Sequence, residues 1–334
     1  MDIFIFKIIE SLPTLLVLSI IVGSLLTLSK GADILVDEAV NLAEALKIPK
    51  AIIGATIVSL GTTLPELSVS TLAAINGNPD LALGNAVGSV IVNTSLIIGI
   101  SAILKPIKLD LQTIKVQGWL KIIFAVMLIF FTMPILYRDG IGRVTQETGY
   151  LFMVILVVYM FWSFKQSNQM NDEDTKDSAD KIKIRSIIKL LTGIALVIIS
   201  SKILIPAVGE TALRIGIPQS IIAATLVAFG TSLPELTTSV KAVLKGHGDL
   251  AVGNVIGADI LNILFVIGAS AAVTAGGLIV PEIFYKLHFP IMAIVLLIFR
   301  YVTLNKGSII RRREGLLLLF FYIIYLALNM SISA

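Results

Sequence analysis

The residues of this chain that could do chemistry stand in two copies of one short motif. The first copy reads Gly-Thr-Thr-Leu-Pro-Glu at positions 61–66, and the second reads Gly-Thr-Ser-Leu-Pro-Glu at positions 230–235. Both copies lie in apolar stretches, where an ionisable side chain is costly and therefore indicates a functional site. The natural partner of Glu66 is Glu235, with a cation held between the two carboxylates.

Hydroxyl side chains accompany each glutamate. Thr62 and Thr63 precede Glu66 by four and three positions, so on a helix these side chains share one face. Thr231 and Ser232 hold the same two positions in the second copy. Each motif therefore predicts a cluster of oxygen atoms on one side of a helix.

A proline interrupts each predicted helix directly before its glutamate. Proline has no N–H and clashes with the carbonyl four positions earlier, so it frees backbone carbonyls that become candidate ligands. The next apolar segment of each half adds Ser89, Asn93 and Asn262. Carboxylate, hydroxyl, amide and carbonyl oxygens together suit a hard cation such as Ca²⁺ or Na⁺.

The charge of such a site predicts how it could work. Glu66 and Glu235 carry two negative charges when both are ionised, which one Ca²⁺ or two or more Na⁺ would neutralise. The site could then exchange one load for the other without being left empty and charged. The alternative is that the two prolines only kink their helices, and that the hydroxyls satisfy the freed backbone groups.

The composition places the chain in a membrane. Hydrophobic residues make up 56% of the 334 residues and charged residues only 14%, against roughly 25% charge in soluble domains. The absence of cysteine excludes disulfides and thiolate metal sites, and two histidines leave little room for a zinc or haem site. The net charge of +4 is no sign of nucleic-acid binding, because the basic residues lie between apolar runs.

Ten apolar segments are long enough for a helix across a hydrocarbon core of about 30 Å. They lie near 11–29, 49–75, 81–104, 117–136, 148–164, 186–206, 218–244, 250–278, 287–304 and 314–331. The mixed stretch 29–50 is predicted to extend the first helix along the membrane interface. The polar run 168–183 is predicted to be a flexible linker between two halves.

The two halves are copies of one unit. Glu66 and Glu235 are 169 positions apart, and the same offset relates Asn93 to Asn262 and Gly84-Asn85 to Gly253-Asn254. Five segments per copy is an odd number, so the second copy enters the membrane from the opposite side. The predicted fold is an all-α membrane protein of ten transmembrane helices, arranged as two inverted five-helix repeats. The predicted boundaries are 1–164 for the first repeat, 165–185 for a cytoplasmic linker and 186–334 for the second repeat.

The distribution of basic residues predicts the orientation. The loops after segments one, three, five, seven and nine contain 20 of the 26 Lys and Arg residues. The positive-inside rule therefore places these loops in the cytoplasm. Both termini are then extracellular, and the protein is predicted to be a multi-pass protein of the cell membrane.

The motifs resemble the alpha-repeats of the cation/calcium exchanger superfamily, and in particular its prokaryotic sodium/calcium exchangers. The resemblance rests on GTTLPELSVS and GTSLPELTTS, followed by GNAVGSVIVN and GNVIGADILN, and it covers nearly the whole chain. It implies an antiporter that moves Ca²⁺ against Na⁺ by alternating access, with a site between segments two, three, seven and eight. The protein it implies is not an enzyme, needs no cofactor and is expected to work as a monomer in the lipid bilayer.

The resemblance also implies roles for individual residues. Ca²⁺ would be bound by Glu66, Glu235 and the carbonyls of Thr62 and Thr231. Na⁺ would be bound by the carbonyls of Ser59 and Ala228 and by the side chains of Thr63, Ser232 and Ser89. Asn93 and Asn262 occupy the central polar positions of segments three and eight.

This sequence departs from the family pattern at two places in segment eight. Family members often have a serine where this chain has Ala258, so one Na⁺ is predicted to be held weakly or not used. Some members have an aspartate where this chain has Asn262, and here an acid stands at Asp259 instead. Asp259 is a further candidate ligand, although neighbouring residues on a helix point about 100° apart.

Two other functions fit the same residues. A Ca²⁺/H⁺ or K⁺-dependent antiporter of the same fold would use the same carboxylates for another counter-ion. A cation channel could also line its pore with an acidic centre, and strict dependence on a counter-ion would exclude it.

Overall fold

The computed structural model describes residues 3–109, 111–169, 184–216, 230–304 and 309–333 of the chain. These residues form a helical membrane protein with four strands of only two residues each. Helices dominate because lipid offers no hydrogen bonds to the backbone, so each segment has to satisfy its own N–H and C=O groups.

Nine helices belong to the described part of the first half. In chain order they are α1 (Ile3–Glu10), α2 (Thr14–Ala45), α3 (Lys50–Ile53), α4 (Ser59–Thr62), α5 (Leu64–Ile75), α6 (Pro79–Ile91), α7 (Ile98–Leu104), α8 (Leu111–Thr132) and α9 (Gln146–Gln169).

Six helices belong to the described part of the second half. They are α10 (Ile184–Arg214), α11 (Leu233–Leu244), α12 (Gly248–Leu261), α13 (Gly268–Ala272), α14 (Phe289–Leu304) and α15 (Arg312–Ser333).

Four π-helical stretches among the described residues join or extend these helices. They are Gly54–Val58 between α3 and α4, Val92–Ile97 between α6 and α7, Asn262–Ile267 between α12 and α13, and Phe284–His288 before α14. A π-turn breaks the regular i to i−4 ladder and is often found at functional sites. Two of the four begin within one residue of Asn93 or Asn262, which the sequence predicts to be site residues.

Each pair of short strands joins the two halves. Strand β1 (Ile107–Lys108) pairs with β4 (Ile309–Ile310), and strand β2 (Arg143–Val144) pairs with β3 (Leu278–Ile279), both antiparallel. Both pairings connect a loop of one half to a loop of the other.

Eight helices in the described ranges are long and apolar enough to cross a membrane, or nine if a bent pair counts as one span. The bent pair is Lys50–Thr62 with Leu64–Ile75. The sequence predicts ten segments, and the predicted segment 218–244 has only its second part, α11, among the described residues. Residues 170–183, most of the predicted linker, also lie outside them.

The first predicted segment is longer than the apolar run suggests. Helix α2 continues without a break to Ala45 and so includes most of the mixed stretch 29–50. Three of the acids in this stretch pair with bases of the second half: Asp33 with Lys241 at 3.2 Å, Asp37 with Lys245 at 2.7 Å, and Glu38 with Lys189 at 3.0 Å. These acids therefore hold helices together.

Two continuous helical segments form the centre of the protein. In the most apolar 18-residue stretch of Pro79–Leu104 and of Gly248–Ala272, 83% and 94% is buried inside the protein. The corresponding values are 28% in Thr14–Ala45 and 22% in Arg312–Ser331. The outer helices present their apolar side chains to lipid, whereas both faces of the central segments contact protein. Polar side chains on the central segments therefore have to be satisfied inside the protein.

Candidate cation site

The first copy of the motif breaks a helix at the centre of the protein. The axis bends by 47° between Lys50–Thr62 and Leu64–Ile75, with Thr63 at the break and Pro65 in the first turn of α5. Pro65 has no N–H to offer to the carbonyl of Gly61, so the helix cannot continue regularly there. The bend places Glu66 in the first turn of a new helix.

The same local structure begins the second copy of the motif. Ser232 lies directly before α11, with Pro234 and Glu235 in its first turn. Its backbone angles, φ −84° and ψ 7°, match those of Thr63, φ −82° and ψ −1°. Equivalent sequence therefore produces equivalent backbone at both glutamates.

Each motif is hydrogen-bonded to the carboxylate of the other. Thr63 Oγ1 donates to Glu235 Oε1 at 3.3 Å, and Ser232 Oγ lies 3.4 Å from Glu66 Oε1. Ser232 Oγ is also 3.2 Å from Ser89 Oγ. All five side chains are at most 1% exposed. The two copies therefore interlock in one buried site.

Several polar atoms at this centre have no hydrogen-bond partner among the described residues. Within the described part of the chain, Glu66 Oε2, Glu235 Oε2, Asn262 Oδ1 and both amide atoms of Asn93 are buried without a hydrogen bond. The two glutamates also lie close enough for their negative charges to repel each other. A buried carboxylate oxygen without a donor is costly, so it needs a bound cation or a proton.

Two asparagines that the sequence reading left out of the site join the halves around it. Asn85 donates through Nδ2 to the Glu66 carbonyl at 3.2 Å and to Ser70 Oγ at 3.0 Å, while its Oδ1 accepts from Thr231 Oγ1 at 3.0 Å. Asn85 thus bonds its own half through the amino group and the other half through the carbonyl.

Asn254 repeats this arrangement from the other side. Its Nδ2 donates to Ser239 Oγ at 3.2 Å, and its Oδ1 lies 3.4 Å from Thr62 Oγ1. The fixed offset between Gly84-Asn85 and Gly253-Asn254 was the available signal for both residues. These contacts tie the hydroxyls of Thr62 and Thr231 to an asparagine amide of the other half.

Three further residues that the sequence predicts for the site are Ser59, Asn262 and Ala228. The Ser59 carbonyl accepts the N–H of Thr63 at 2.9 Å and faces the Thr62 hydroxyl at 3.3 Å, so it already has partners. Asn262 Nδ2 donates to the Ala258 carbonyl at 3.0 Å. Ala228 lies outside the described residues.

Asp259 forms an ion pair with Lys121, which the sequence did not predict. Its Oδ2 accepts from Thr94 Oγ1 at 2.5 Å and from Lys121 Nζ at 3.0 Å, and both charged side chains are fully buried. Asp259 Oδ1 has no hydrogen-bond partner among the residues described. Asp259 therefore lies at the edge of the site with one oxygen in an ion pair.

Close packing of backbone on backbone brings these groups together. A Cβ atom at Gly253 would lie 2.1 Å from the carbonyl oxygen of Ala51, and one at Gly257 would lie 2.3 Å from that of Ala55. Only glycine permits this distance between α12 and the first part of the broken helix. The close approach positions Asn254 against Thr62.

The donor set matches a hard cation. The described residues contain no group of three or more His, Cys, Asp or Glu side chains that could hold a metal ion. The candidate site instead combines two glutamates with neutral hydroxyl, amide and carbonyl oxygens. Such oxygen sets bind Ca²⁺ or Na⁺ and offer nothing to a soft metal.

A helical membrane protein in which a broken helix and the equivalent helix of the other half bring together two buried carboxylates belongs to the class of ion transporters. The model of the sodium/calcium exchanger protein family matches residues 16–165 and 185–331. The chain belongs to this family, which confirms the resemblance inferred from the two motifs.

Similar proteins and solved structures agree with this assignment. The chain is 33% identical to the putative antiporter CaxA of Alkalimonas amylolytica, over 92% of this chain and 96% of that protein. It is 31% identical to the inner membrane protein YrbG of Escherichia coli, over 94% and 97% of the two chains. The structure superposes on the sodium-calcium exchanger NCX_Mj with a TM-score of 0.82 at 27% identity, covering 94% of this chain and 99% of that one.

Proposed function

We propose that this protein is a secondary active antiporter that exchanges Ca²⁺ for Na⁺ at the site between Glu66 and Glu235. The observation that carries the proposal is the pairing of the two carboxylates. Each has one oxygen held by a hydroxyl of the other motif and one buried oxygen without a donor among the described residues. One Ca²⁺ between the two free oxygens neutralises both charges, and Na⁺ ions can replace it.

The proposed ligands follow from this geometry and from the family. Glu66 Oε2 and Glu235 Oε2 bind Ca²⁺ together with the carbonyls of Thr62 and Thr231. The Na⁺ ligands are the Ser59 and Ala228 carbonyls, the hydroxyls of Thr63, Ser232 and Ser89, and the amides of Asn93 and Asn262. Asn85 and Asn254 do not bind the ion and instead orient the threonines that do.

Transport by alternating access requires a site that both sides of the membrane reach in turn. We propose ten spans in two inverted repeats, 1–164 and 186–334, joined by the linker 165–185. The recurrence of element boundaries supports this arrangement: α5 (Leu64–Ile75) and α11 (Leu233–Leu244) are separated by 169 positions at both ends. The cross-half pairing of β1 with β4 and of β2 with β3 is also what a two-fold relation produces.

Transport in proteoliposomes tests the function. Vesicles loaded with Na⁺ should accumulate Ca²⁺ when they are diluted into Na⁺-free medium, and an ionophore that removes the Na⁺ gradient should stop the uptake. Uptake driven by a pH gradient alone would instead identify a Ca²⁺/H⁺ antiporter. An additional requirement for K⁺ would identify K⁺-dependent exchange, and single-channel currents would identify a channel.

The orientation of the protein is a separate prediction. We propose that both termini face the outside of the cell membrane and that 168–183 faces the cytoplasm, because of the Lys and Arg distribution. In this cysteine-free chain, Ser333→Cys should react with an impermeant thiol reagent added to intact cells, and Ser178→Cys should not. Permeabilised cells, in which both should react, are the control. The reverse pattern in intact cells would overturn the orientation.

The missing hydroxyl at Ala258 leads to a prediction about the Na⁺ dependence of exchange. The hydroxyl of its counterpart in the first half, Ser89, lies 3.2 Å from Ser232 Oγ, whereas Ala258 carries only a methyl group. We expect Ala258→Ser to lower the Na⁺ concentration for half-maximal exchange several-fold, because one hydroxyl ligand contributes about 1 kcal/mol net. The matched control is Ala251→Ser, which adds a hydroxyl two turns earlier on the same buried helix. Equal Na⁺ dependence in both variants would contradict the prediction.

A further inference from the structure

A buried arginine away from the two motifs has no partner for its charge. Arg300 of α14 is 3% exposed, and the Nε, Nη1 and Nη2 atoms of its guanidinium are buried without a hydrogen bond to any residue that the structure describes. An arginine side chain stays protonated in proteins and has only donors to offer. Because a charged group that is buried without a partner is costly, this guanidinium requires an anion that the described residues do not supply.

The guanidinium lies between α14 and the first turns of α8. A Cβ atom at Gly118 would lie 2.9 Å from Arg300 Nη1, so the glycine lets the charged group lie against the backbone of α8. The central carbon of the guanidinium lies 4.7 Å from the centre of the Trp119 ring. The ring attracts the positive charge, but the N–H donors lie in the plane of the guanidinium and remain unused. The aromatic contact therefore does not replace an anion.

A second buried base increases the demand for an anion. Lys121 lies one turn beyond Gly118 on α8, and the positive charges of Lys121 and Arg300 act on each other. The carboxylate of Asp259 pairs with Lys121 at 3.0 Å and also accepts from Thr94. Of the two bases, Lys121 thus has a carboxylate, whereas Arg300 has none among the residues described.

Arg300 lies close to the end of its helix and so close to the membrane surface. Leu304, the last residue of α14, is one turn away, which corresponds to about 6 Å along the helix axis. The pairing of β4 with β1 brings the chain that follows α14 next to the chain that precedes α8. Lys115 near the start of α8 and the run 311–313, three arginines at the start of α15, are exposed. Arg300 therefore lies below a basic surface.

Aromatic side chains that face the lipid flank the guanidinium. Trp119 is 47% exposed and Tyr301, directly after Arg300, is 72% exposed. Tryptophan and tyrosine are enriched where the hydrocarbon core meets the lipid head groups. The Trp119 ring is in contact with the guanidinium and is also half exposed, so a lipid that turns this ring aside reaches the charge.

We infer that Arg300 binds the phosphate of an anionic phospholipid, and that Trp119 covers this site when it is empty. The planar guanidinium can donate parallel hydrogen bonds to phosphate oxygens, and basic pockets between transmembrane helices bind anionic head groups. The ligand is a phospholipid because the exposed neighbours of the guanidinium are aromatic rings on the outer face of the helices. The inference goes beyond the proposed ion exchange and places no new residue in the cation site.

Quenching of Trp119 fluorescence by brominated phospholipids tests the inference. The chain contains two tryptophans, so Trp162→Phe leaves Trp119 as the single reporter. This protein is reconstituted in phosphatidylcholine bilayers with increasing fractions of either brominated phosphatidylglycerol or brominated phosphatidylcholine. We expect phosphatidylglycerol to bind beside Trp119 about fivefold more tightly than phosphatidylcholine, which corresponds to about 1 kcal/mol for one basic residue.

Three variants in the Trp162→Phe background separate the buried guanidinium from the surface charge. Arg300→Met should make the two lipids bind equally, and Arg300→Lys, which keeps the charge without the planar fork, should retain a smaller preference. The matched control Lys115→Met removes an exposed base one turn before Trp119 and should keep most of the preference. Arg300→Met removes a buried charge without breaking an ion pair and is expected to fold.

Equal quenching by the two brominated lipids in Trp162→Phe would by itself overturn the inference, and so would an unchanged preference in Arg300→Met. A preference that is lost in Lys115→Met and kept in Arg300→Met would assign it to the basic surface instead. Inorganic phosphate at constant ionic strength should not affect the quenching. If it abolished the preference, the ligand would be a soluble anion and not a lipid. Because no measurement involves transport, failure of the inference would leave the proposed function untouched.

Discussion

Glu66→Gln or Glu235→Gln is expected to reduce Na⁺-dependent Ca²⁺ uptake to the level of vesicles without protein. Each glutamine keeps the size of the side chain and can still accept the hydroxyl of Ser232 or Thr63. Each removes half of the formal charge that compensates a buried Ca²⁺. Loss of one charge at a buried pair leaves the partner charge uncompensated, which costs several kcal/mol and corresponds to a loss of affinity of at least about a hundredfold.

Uptake of Ca²⁺ into Na⁺-loaded proteoliposomes measures this effect. The matched control is Glu210→Gln, because Glu210 is also a buried glutamate, 6% exposed, but it pairs with Arg214 on α10. That variant should retain exchange. Normal uptake by either Glu66→Gln or Glu235→Gln would show that the ion is not held between these carboxylates.

Gly253→Ala is expected to destabilise the protein and to remove the stabilisation that Ca²⁺ provides. A methyl group at this position would lie 2.1 Å from the Ala51 carbonyl oxygen, and the obstacle is backbone that no side-chain rotation can relieve. Helix α12 has to move away from the broken helix, and the contact between Asn254 and Thr62 is then lost. Overpacking of this kind costs about 1–3 kcal/mol and occasionally more.

The melting temperature in detergent, with and without Ca²⁺, measures both parts of this prediction. A ligand that binds only the folded protein raises its stability, so a variant that has lost the site gains nothing from Ca²⁺. Gly23→Ala is the control, because Gly23 lies inside α2 with no atom within 4 Å of an added Cβ. Alanine favours a helix over glycine there, and no loss is expected. An unchanged melting temperature and Ca²⁺ response for Gly253→Ala would contradict the prediction.

The membrane class and the helical fold could be predicted from the sequence because they depend on local properties. Apolar runs of about 20 residues span a bilayer, and lipid leaves the helix as the form that satisfies their backbone. The two motifs were enough to infer the family, since the carboxylate, the proline and the hydroxyls recur at one offset. The sequence predicts ten spans and the described residues contain eight or nine, because the first part of the predicted segment 218–244 lies outside the described residues.

The partners within the site depend on tertiary packing. The sequence predicts that Thr63 and Glu66 share a face, but the Thr63 hydroxyl bonds Glu235, which is 172 positions away. Asn85 and Asn254 carry no charge and sit in segments rich in small residues, so their role as links between halves is visible only once the helices are packed.

Lys121 shows this limit most clearly. The sequence identified Asp259 as an unusual acid and pointed it away from Ala258, and the structure agrees with that direction. The identity of its partner could not follow from the sequence, because Lys121 is 138 positions distant and lies in an apolar run like many others. By itself the sequence determined the class of protein, the family and the two central carboxylates, since these depend on composition, periodicity and a repeated motif. Only the tertiary structure decided which charges face each other, because that depends on the contacts between helices far apart along the chain.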